Sequence, residues 1–325
     1  MRPISRPGKK SEIKSVMPLI DAIFSNSLNS DLSSKIEKVN RGTNHDVYRI
    51  HCETGQYAVK IPKKNQANGI ERCFSALWIL HRNHLVLAPR PIMIEFEQYR
   101  LPFMVMSWEN GDQFHQPPLE EAAWKMILEH YLKIHQVKPF RTLFHIRKAL
   151  FNATSADDCR KFVFGQIDRV PKQEWSDEII SLIDLWNRNL SFQWKNIPRV
   201  LCRGDANFKN FIIPSQGIVS VDWENGGWGD AAFDIASLLA HPAYVTVPFS
   251  HLNWAAEYYS QHSNDPGMLE RIIKYLPTIT VFWAARYANL LYHMRPNRNY
   301  PWEDRRSLRE DNYKYYINLS NKLLS

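Results

Sequence analysis

Three side chains between residues 200 and 234 have the types and spacing to do chemistry together: Asp205, Asn210 and Asp222. Residues 211–213 are a short apolar run, Pro214 to Gly217 is turn chemistry, and 218–223 is a second β-favouring run, so the stretch predicts a hairpin. If Ile213 lies opposite Ile218, antiparallel register sets Asn210 opposite Val221 and therefore beside Asp222. Asp205 precedes Asn210 by five residues, within one loop of the same cluster. Oxygen donors alone suit a hard cation such as Mg²⁺, which takes one or two carboxylates and fills its other positions with phosphate oxygens and water. The arrangement predicts metal held by Asn210 and Asp222 on nucleotide phosphates, with Asp205 accepting the proton of an incoming hydroxyl. A solvated acidic hairpin with Trp223 and Trp228 buried is the purely structural alternative.

The stretch reads RGDANFKN, then VDWE, then GGWGDAAFDIA. In these spaced elements it resembles the aminoglycoside phosphotransferase and choline kinase superfamily, whose fold is protein-kinase-like. The resemblance implies ATP-dependent transfer of a phosphoryl group to a small-molecule hydroxyl (aminoglycoside-, choline- or sugar-like), with ATP and Mg²⁺ as cofactors. It also implies that Asp234 anchors the catalytic loop by hydrogen bonding. Two positions depart from the family pattern: Arg203 stands where the family has His, and Ala stands at 231 or 232 where Pro is usual. Arg203 could bond loop carbonyls as a fork donor or lower the pKa of Asp205 by its charge. It motivates an alternative reading, a catalytically impaired pseudokinase that binds nucleotide or a protein partner.

These residues need elements to position them. Residues 11–28 carry Ile13, Val16, Met17, Ile20, Ile23 and Phe24 at helical spacing. Three strands follow at about 35–40, 46–52 and 56–61, with Glu53-Thr54-Gly55 as a turn. The link from 41 to 45 includes Gly42, Thr43 and Asn44, small or polar residues that let backbone amides approach phosphates; a plain turn is the other reading. Lys60, closing Tyr57-Ala58-Val59-Lys60, resembles the strand lysine that grips α- and β-phosphates, against the alternative of a surface lysine. Residues 69–84 predict a helix with Glu71 near its start. The resemblance makes Glu71 the partner of Lys60, although it could simply favour a helix N-terminus. Strands at 92–96 and 101–107 should lead into a hinge, where Met106 to Trp108 would offer backbone groups to an adenine edge.

Beyond the hinge, residues 119–136 predict a clear helix, and 138–190 contain at least two helical patterns, one at 177–186. His135, near the end of the first, reads as a packing or capping residue. After Asp234 the chain is helical and aromatic-rich, and Pro277 should kink or break the last run. Trp228, Trp254, Tyr258, Trp283 and Tyr287 could build a cation-binding aromatic box or simply pack a core. The expected fold is α+β and bilobal: residues 1–108 a nucleotide-binding lobe with an antiparallel sheet plus helix, and 109–325 a larger, mainly helical lobe carrying the catalytic hairpin.

The 325 residues are enough for two lobes, and 44% hydrophobic with 23% charged content is ordinary for a globular protein. A net charge of +8 permits attraction to nucleotides without pointing to nucleic acid, and it argues mildly against polycationic acceptors. Glu120, Glu121, Asp157 and Asp158 are a local acidic patch that could override this. The four cysteines lack C-x-x-C spacing, so zinc is not expected. No apolar stretch reads as a signal or a membrane span, and a cytoplasmic enzyme with nucleotide and a small hydroxyl substrate as partners is the expectation.

Overall fold

The computed structural model describes residues 7–25, 32, 34–40, 45–63, 67–140, 146–192, 194, 196–215, 217–294 and 306–325. The chain divides into two units. Met1–His115, Phe140–Lys148 and Phe208–Gly227 form the first; Gln116–Pro139, Ala149–Asn207 and Trp228–Ser325 form the second.

The first unit is built on an antiparallel sheet of β1 (Ile36–Asn40), β2 (His45–Cys52), β3 (Gly55–Pro62), β4 (Pro91–Glu95) and β5 (Phe103–Ser107), in the order β1-β2-β3-β5-β4. Side chains alternate across a strand. On β3, Tyr57, Val59 and Ile61 therefore point one way, into a core with Val16, Leu19 and Ile20 of α1 (Lys10–Ser25) and with Ile50, Ile92 and Phe103. Each such aliphatic side chain contributes about 1.5–3 kcal/mol on burial. Ala58 and Lys60 face the other way. The period of the sheet thus separates the packing face from the chemical face.

Helix α2 (Ala67–Arg82) starts two residues before the expected helix and stops at a left-handed residue, His84, with φ of 58°. The His84 amide bonds His81 O and the Leu85 amide bonds Leu80 O, both at 3.0 Å, a Schellman-type closure of the helix end. The hairpin consists of β8 (Phe211–Ile213) and β9 (Val219–Ser220), with β6 (Asp112–Gln113) on the far side of β8. Its register is the expected one: Phe211 faces Ser220, and the Val221 amide bonds Asn210 O at 2.9 Å. The second strand is shorter than the run 218–223 suggested. Asp222 has φ of 62°, and a left-handed residue cannot continue a ladder.

The second unit is mainly helical: α3 (Glu121–Ile134), α4 (Ala156–Ile167), α5 (Asp177–Asn189), α6 (Ala231–Leu239), α7 (Phe249–His262), α8 (Met268–His293) and α9 (Arg306–Leu324), with the short strand β7 (Val200–Cys202) and all but the first residue of β10 (Gly227–Gly229). Serines cap two of these helices: Ser155 Oγ accepts the Asp158 amide and Ser176 Oγ the Ile179 amide. Of the kink or break expected at Pro277, a break does not occur: α8 runs through it for 26 residues. A proline inside a helix costs a hydrogen bond and a clash, but the flanking Tyr275, Thr278 and Ile279 are buried, and packing holds the helix together. No helix among the described residues is long and apolar enough to cross a membrane.

Candidate active site

Lys60 leaves β3 into a cleft of about 500 Å³ within the first unit. Its Nζ lies 2.5 Å from Asp222 Oδ1 and 3.8 Å from Glu224 Oε2. Burial alone would lower the lysine's pKa, but the pull of Cys73, Asp222 and Glu224 outweighs it and the pKa is raised, so Lys60 stays an ammonium. Asn210 lines the same cleft, brought there by the hairpin register. The two predicted metal-site residues and the predicted phosphate lysine therefore share one cavity. Their oxygens are a carboxylate and a carboxamide, a donor set that fits a hard divalent cation.

The same cleft holds a residue that sequence reasoning missed. His45, at the start of β2, is buried, and its Nδ1 lies 3.1 Å from Glu224 Oε2. A carboxylate only accepts, so Nδ1 carries the proton. Burial, then the charge of Lys60, outweighs the opposing pull of Asp222 and pushes the imidazole down to about 4. His45 is therefore neutral near pH 7 and braces Glu224 against Lys60. Its Nε2 sits beside Gly69 of α2, where an added Cβ would meet it at 3.8 Å.

Among the described residues, the carboxylates within ion-pairing distance of Lys60 are Asp222 and Glu224. Glu71, expected from the resemblance to take that place, lies in the first part of α2, with its carbonyl accepting Ser75 Oγ at 2.7 Å. Met106 and Trp108 line the cleft, together with the apolar Val39, Val47, Ala58 and Ile212. Two backbone donors of that segment are already used in the sheet: the Ser107 amide bonds Arg90 O at 2.9 Å, and the Trp108 amide bonds Gln56 O at 3.1 Å. The Trp108 ring instead stacks on the Arg49 guanidinium, 4.7 Å from its centroid. Gly42 and Asn44 lie outside the described residues.

The predicted base, Asp205, belongs to the second unit, in the loop after β7. Asp234 of α6 holds this loop by its backbone: Oδ2 accepts the Arg203 amide at 2.8 Å and Oδ1 the Gly204 amide at 3.0 Å. Gly204 has φ of 65°, which glycine adopts without steric cost. His135 supports the anchor from α3, with Nε2 3.1 Å from Asp234 Oδ2 and Nδ1 2.5 Å from the Tyr259 hydroxyl. Arg203, the departure from the family pattern, is buried, and its Nε donates to Asp205 O at 3.1 Å. This is the carbonyl-bonding role weighed for it above. Asp205 Oδ1 in turn accepts the Asn207 amide at 3.0 Å.

Behind this loop, Asp230 caps α6 and binds Arg271 and the Tyr275 hydroxyl, and its own backbone is gripped at both ends by the Asn152 carboxamide. His135, Cys202 and Asp234 are close enough together to ligate a metal, yet all three are buried and Asp234 and His135 are already spent on the loop. Cys52, Cys73, Cys159 and Cys202 are all free thiols.

The sequence profile of the phosphotransferase enzyme family (APH) matches residues 35–266. No match was found among curated proteins. Among solved structures, the chain is similar to spectinomycin phosphotransferase APH(9)-Ia in complex with ADP and spectinomycin. The identity is 15% and the TM-score 0.58, covering 87% of this chain and 88% of that one. Amicoumacin kinase hAmiN, in complex with AMP-PNP, Ca²⁺ and Ami, is similar at 13% identity and a TM-score of 0.61, with 96% and 97% covered. An ethanolamine kinase from Plasmodium vivax is similar at 13% identity and a TM-score of 0.55, with 97% and 89% covered. At these identities the likeness is one of fold, an α+β kinase-like architecture of antiparallel sheet and helical part. With the profile spanning most of its length and its fold shared with solved phosphotransferases, the chain belongs to the phosphotransferase enzyme family.

Proposed function

We propose that this phosphotransferase moves the γ-phosphoryl group of ATP to a hydroxyl of a small molecule, with Asp205 as the base. The observation that carries this reading is the cleft in which Lys60, Asn210 and Asp222 meet. Lys60, held as an ammonium, presents fixed positive charge to the phosphates, and Glu224, bonded by His45, lies 3.8 Å from that ammonium. Asn210 and Asp222 are the residues that would hold Mg²⁺, whose charge would offset that of the phosphate oxygens when bound. The hydroxyl oxygen forms a bond to the γ-phosphorus. The bond from that phosphorus to the β–γ bridging oxygen breaks, ADP leaves with the electron pair, and the hydroxyl proton passes to Asp205. Positioning and preorganised charge supply most of the acceleration in such a transfer. Arg203 supports the reading, because it bonds the Asp205 carbonyl and thereby shapes the loop.

The test is the thermal unfolding midpoint with ATP, with and without Mg²⁺, in the wild type and in Asp222→Ala. Ligand at about 100 times its Kd stabilises by roughly 2.7 kcal/mol. A Mg²⁺-dependent rise that vanishes in the variant supports the site, and no rise at saturating nucleotide would favour the pseudokinase reading. Asp205→Asn should then abolish transfer and keep the nucleotide-induced rise. Unchanged turnover refutes the base.

A further inference from the structure

His241, just beyond the end of α6, has its tautomer fixed: Nδ1 accepts the Ala243 amide at 3.1 Å, so the proton sits on Nε2. Burial opposes any charge on the ring. Among the described residues, Asp205 and Arg286 act on it with opposite sign, and the imidazole stays well below its usual range. Trp283 of α8 meets His241 edge to face, with centroids 5.3 Å apart. On the same helix the Arg286 guanidinium lies over the Trp283 ring, 5.7 Å from its centroid. A neutral N–H donor, an indole and a guanidinium are thus grouped in the field of the proposed base.

Arg286 differs from other arginines held away from open solvent. Arg90 binds Glu12, Arg271 binds Asp230 and Asp265, and Arg203 binds a loop carbonyl. Among the described residues, no carboxylate or hydrogen-bond acceptor pairs with Arg286. Burial, then the like charge of Arg169, disfavours its charge; Tyr287 opposes this and Arg309 adds to it, with the net effect that the pKa is lowered. Arg309 spends a donor on the Met294 sulfur, a weak acceptor. A half-buried guanidinium kept among like charges is costly unless an anion meets it. Four of the five aromatic residues weighed as a cation box already face groups of the protein. Lys125 lies over Trp254 and Tyr258, Arg286 over Trp283, and Tyr287 stacks on Tyr316.

We propose that Arg286, with the Nε2–H of His241, forms an anion subsite for the acceptor, so that the substrate is a hydroxyl compound bearing a carboxylate or phosphate group rather than a polycation or a quaternary amine. This rests on the kinase reading above. Arg286 and Trp283 bind and orient the anionic end, leaving the hydroxyl to Asp205.

The experiment compares wild type, Arg286→Gln and Arg286→Lys in ADP-release assays with three acceptor sets: hydroxy acids (glycerate, gluconate), sugar phosphates (glucose 6-phosphate), and cations (choline, ethanolamine, kanamycin). Thermal shifts with Mg²⁺·ATP, and with each acceptor plus Mg²⁺·ADP, run alongside. Turnover in the anionic sets is expected, the two sets separating a carboxylate from a phosphate. Losing a charge-assisted contact should raise KM roughly 10- to 100-fold in Arg286→Gln, with partial recovery in Arg286→Lys. The Mg²⁺·ATP shift should stay as in wild type, which also shows that the variant folds. Preference for the cationic set, or an unchanged KM in Arg286→Gln, overturns the subsite. If wild type shows no Mg²⁺·ATP shift, the kinase reading has failed and the subsite is judged by binding alone. Stabilisation by gluconate or glucose 6-phosphate that is lost in Arg286→Gln supports it, and no stabilisation by either overturns it.

Discussion

The cleft of the first unit and the loop of the second that carries Asp205 use the same functional groups, carboxylates and imidazoles, to opposite ends. In the cleft, charge meets charge: Lys60 is 7% exposed, but Asp222 facing it is 37% exposed. An ion pair that touches water can exchange one partner for a phosphate or a metal at little cost. In the loop, Asp234 is 2% exposed and bonds two backbone amides and a histidine, none of which a ligand could replace. Burial decides which contact can change partners and which cannot. The molecule keeps its exchangeable pairs near water and its fixed ones out of it.

The contrast can be broken most severely at Asp234. Asp234→Ala leaves two buried amides and an imidazole without their acceptor, and should cost about 3–5 kcal/mol in chemical denaturation as well as activity. Lys60→Met should reverse the balance. Turnover falls about 10²- to 10³-fold, while the unfolding midpoint moves less than in Asp234→Ala, because the acids left behind reach solvent. Equal loss of stability in the two variants would erase the distinction.

His45 sharpens the comparison through pH. Its folded pKa, about 4, lies below the ordinary value of 6.5. Its share of stability is therefore complete above pH 6.5 and lost as pH falls towards 4. The wild type should lose roughly 2–3 kcal/mol more across that window than His45→Gln, which cannot titrate. Parallel acid denaturation curves would show that the imidazole is not held neutral.

The smallest effects separate two glycines. In the second unit, a Cβ at Gly229 would overlap the Asn152 carboxamide that grips Asp230, and Gly229→Ala should cost about 1–3 kcal/mol. At Gly69 of α2, beside His45, the nearest atoms would be 3.8 Å away, an ordinary contact, so Gly69→Ala should change stability by under about 1 kcal/mol. Thermal melts of the pair decide whether the first unit is the more tolerant region.

The hairpin register was legible in sequence because two apolar runs flank a single turn, and the pleat then leaves Asn210 nowhere but opposite Val221. Lys60 was legible because it ends the run Tyr57-Ala58-Val59-Lys60 within an alternating strand. His45 was not, since nothing local marks a residue whose partner, Glu224, is distant in the chain and reached only through the fold. Glu224 itself stood in a motif without a role of its own. His241 carried one unused signal, a histidine directly before the proline that opens a short turn. Helix α9 also passed unseen: it buries only Tyr316, Ile317 and Ser320, too thin a stripe to stand out from its polar surroundings.

The left-handed backbone at Asp222 also limits how this protein can decay. Apart from glycine, asparagine and aspartate are the residues that best tolerate that conformation. A substitution there faces a conformational filter before any chemical one. Valine or isoleucine would strain the hairpin and remove the carboxylate together, whereas Asn or Gly would silence the site and leave the hairpin relaxed. The route from working enzyme to inert binder is therefore narrow at this position, and a relative with Asn or Gly here would be a sound place to look for a fold that has outlived its reaction.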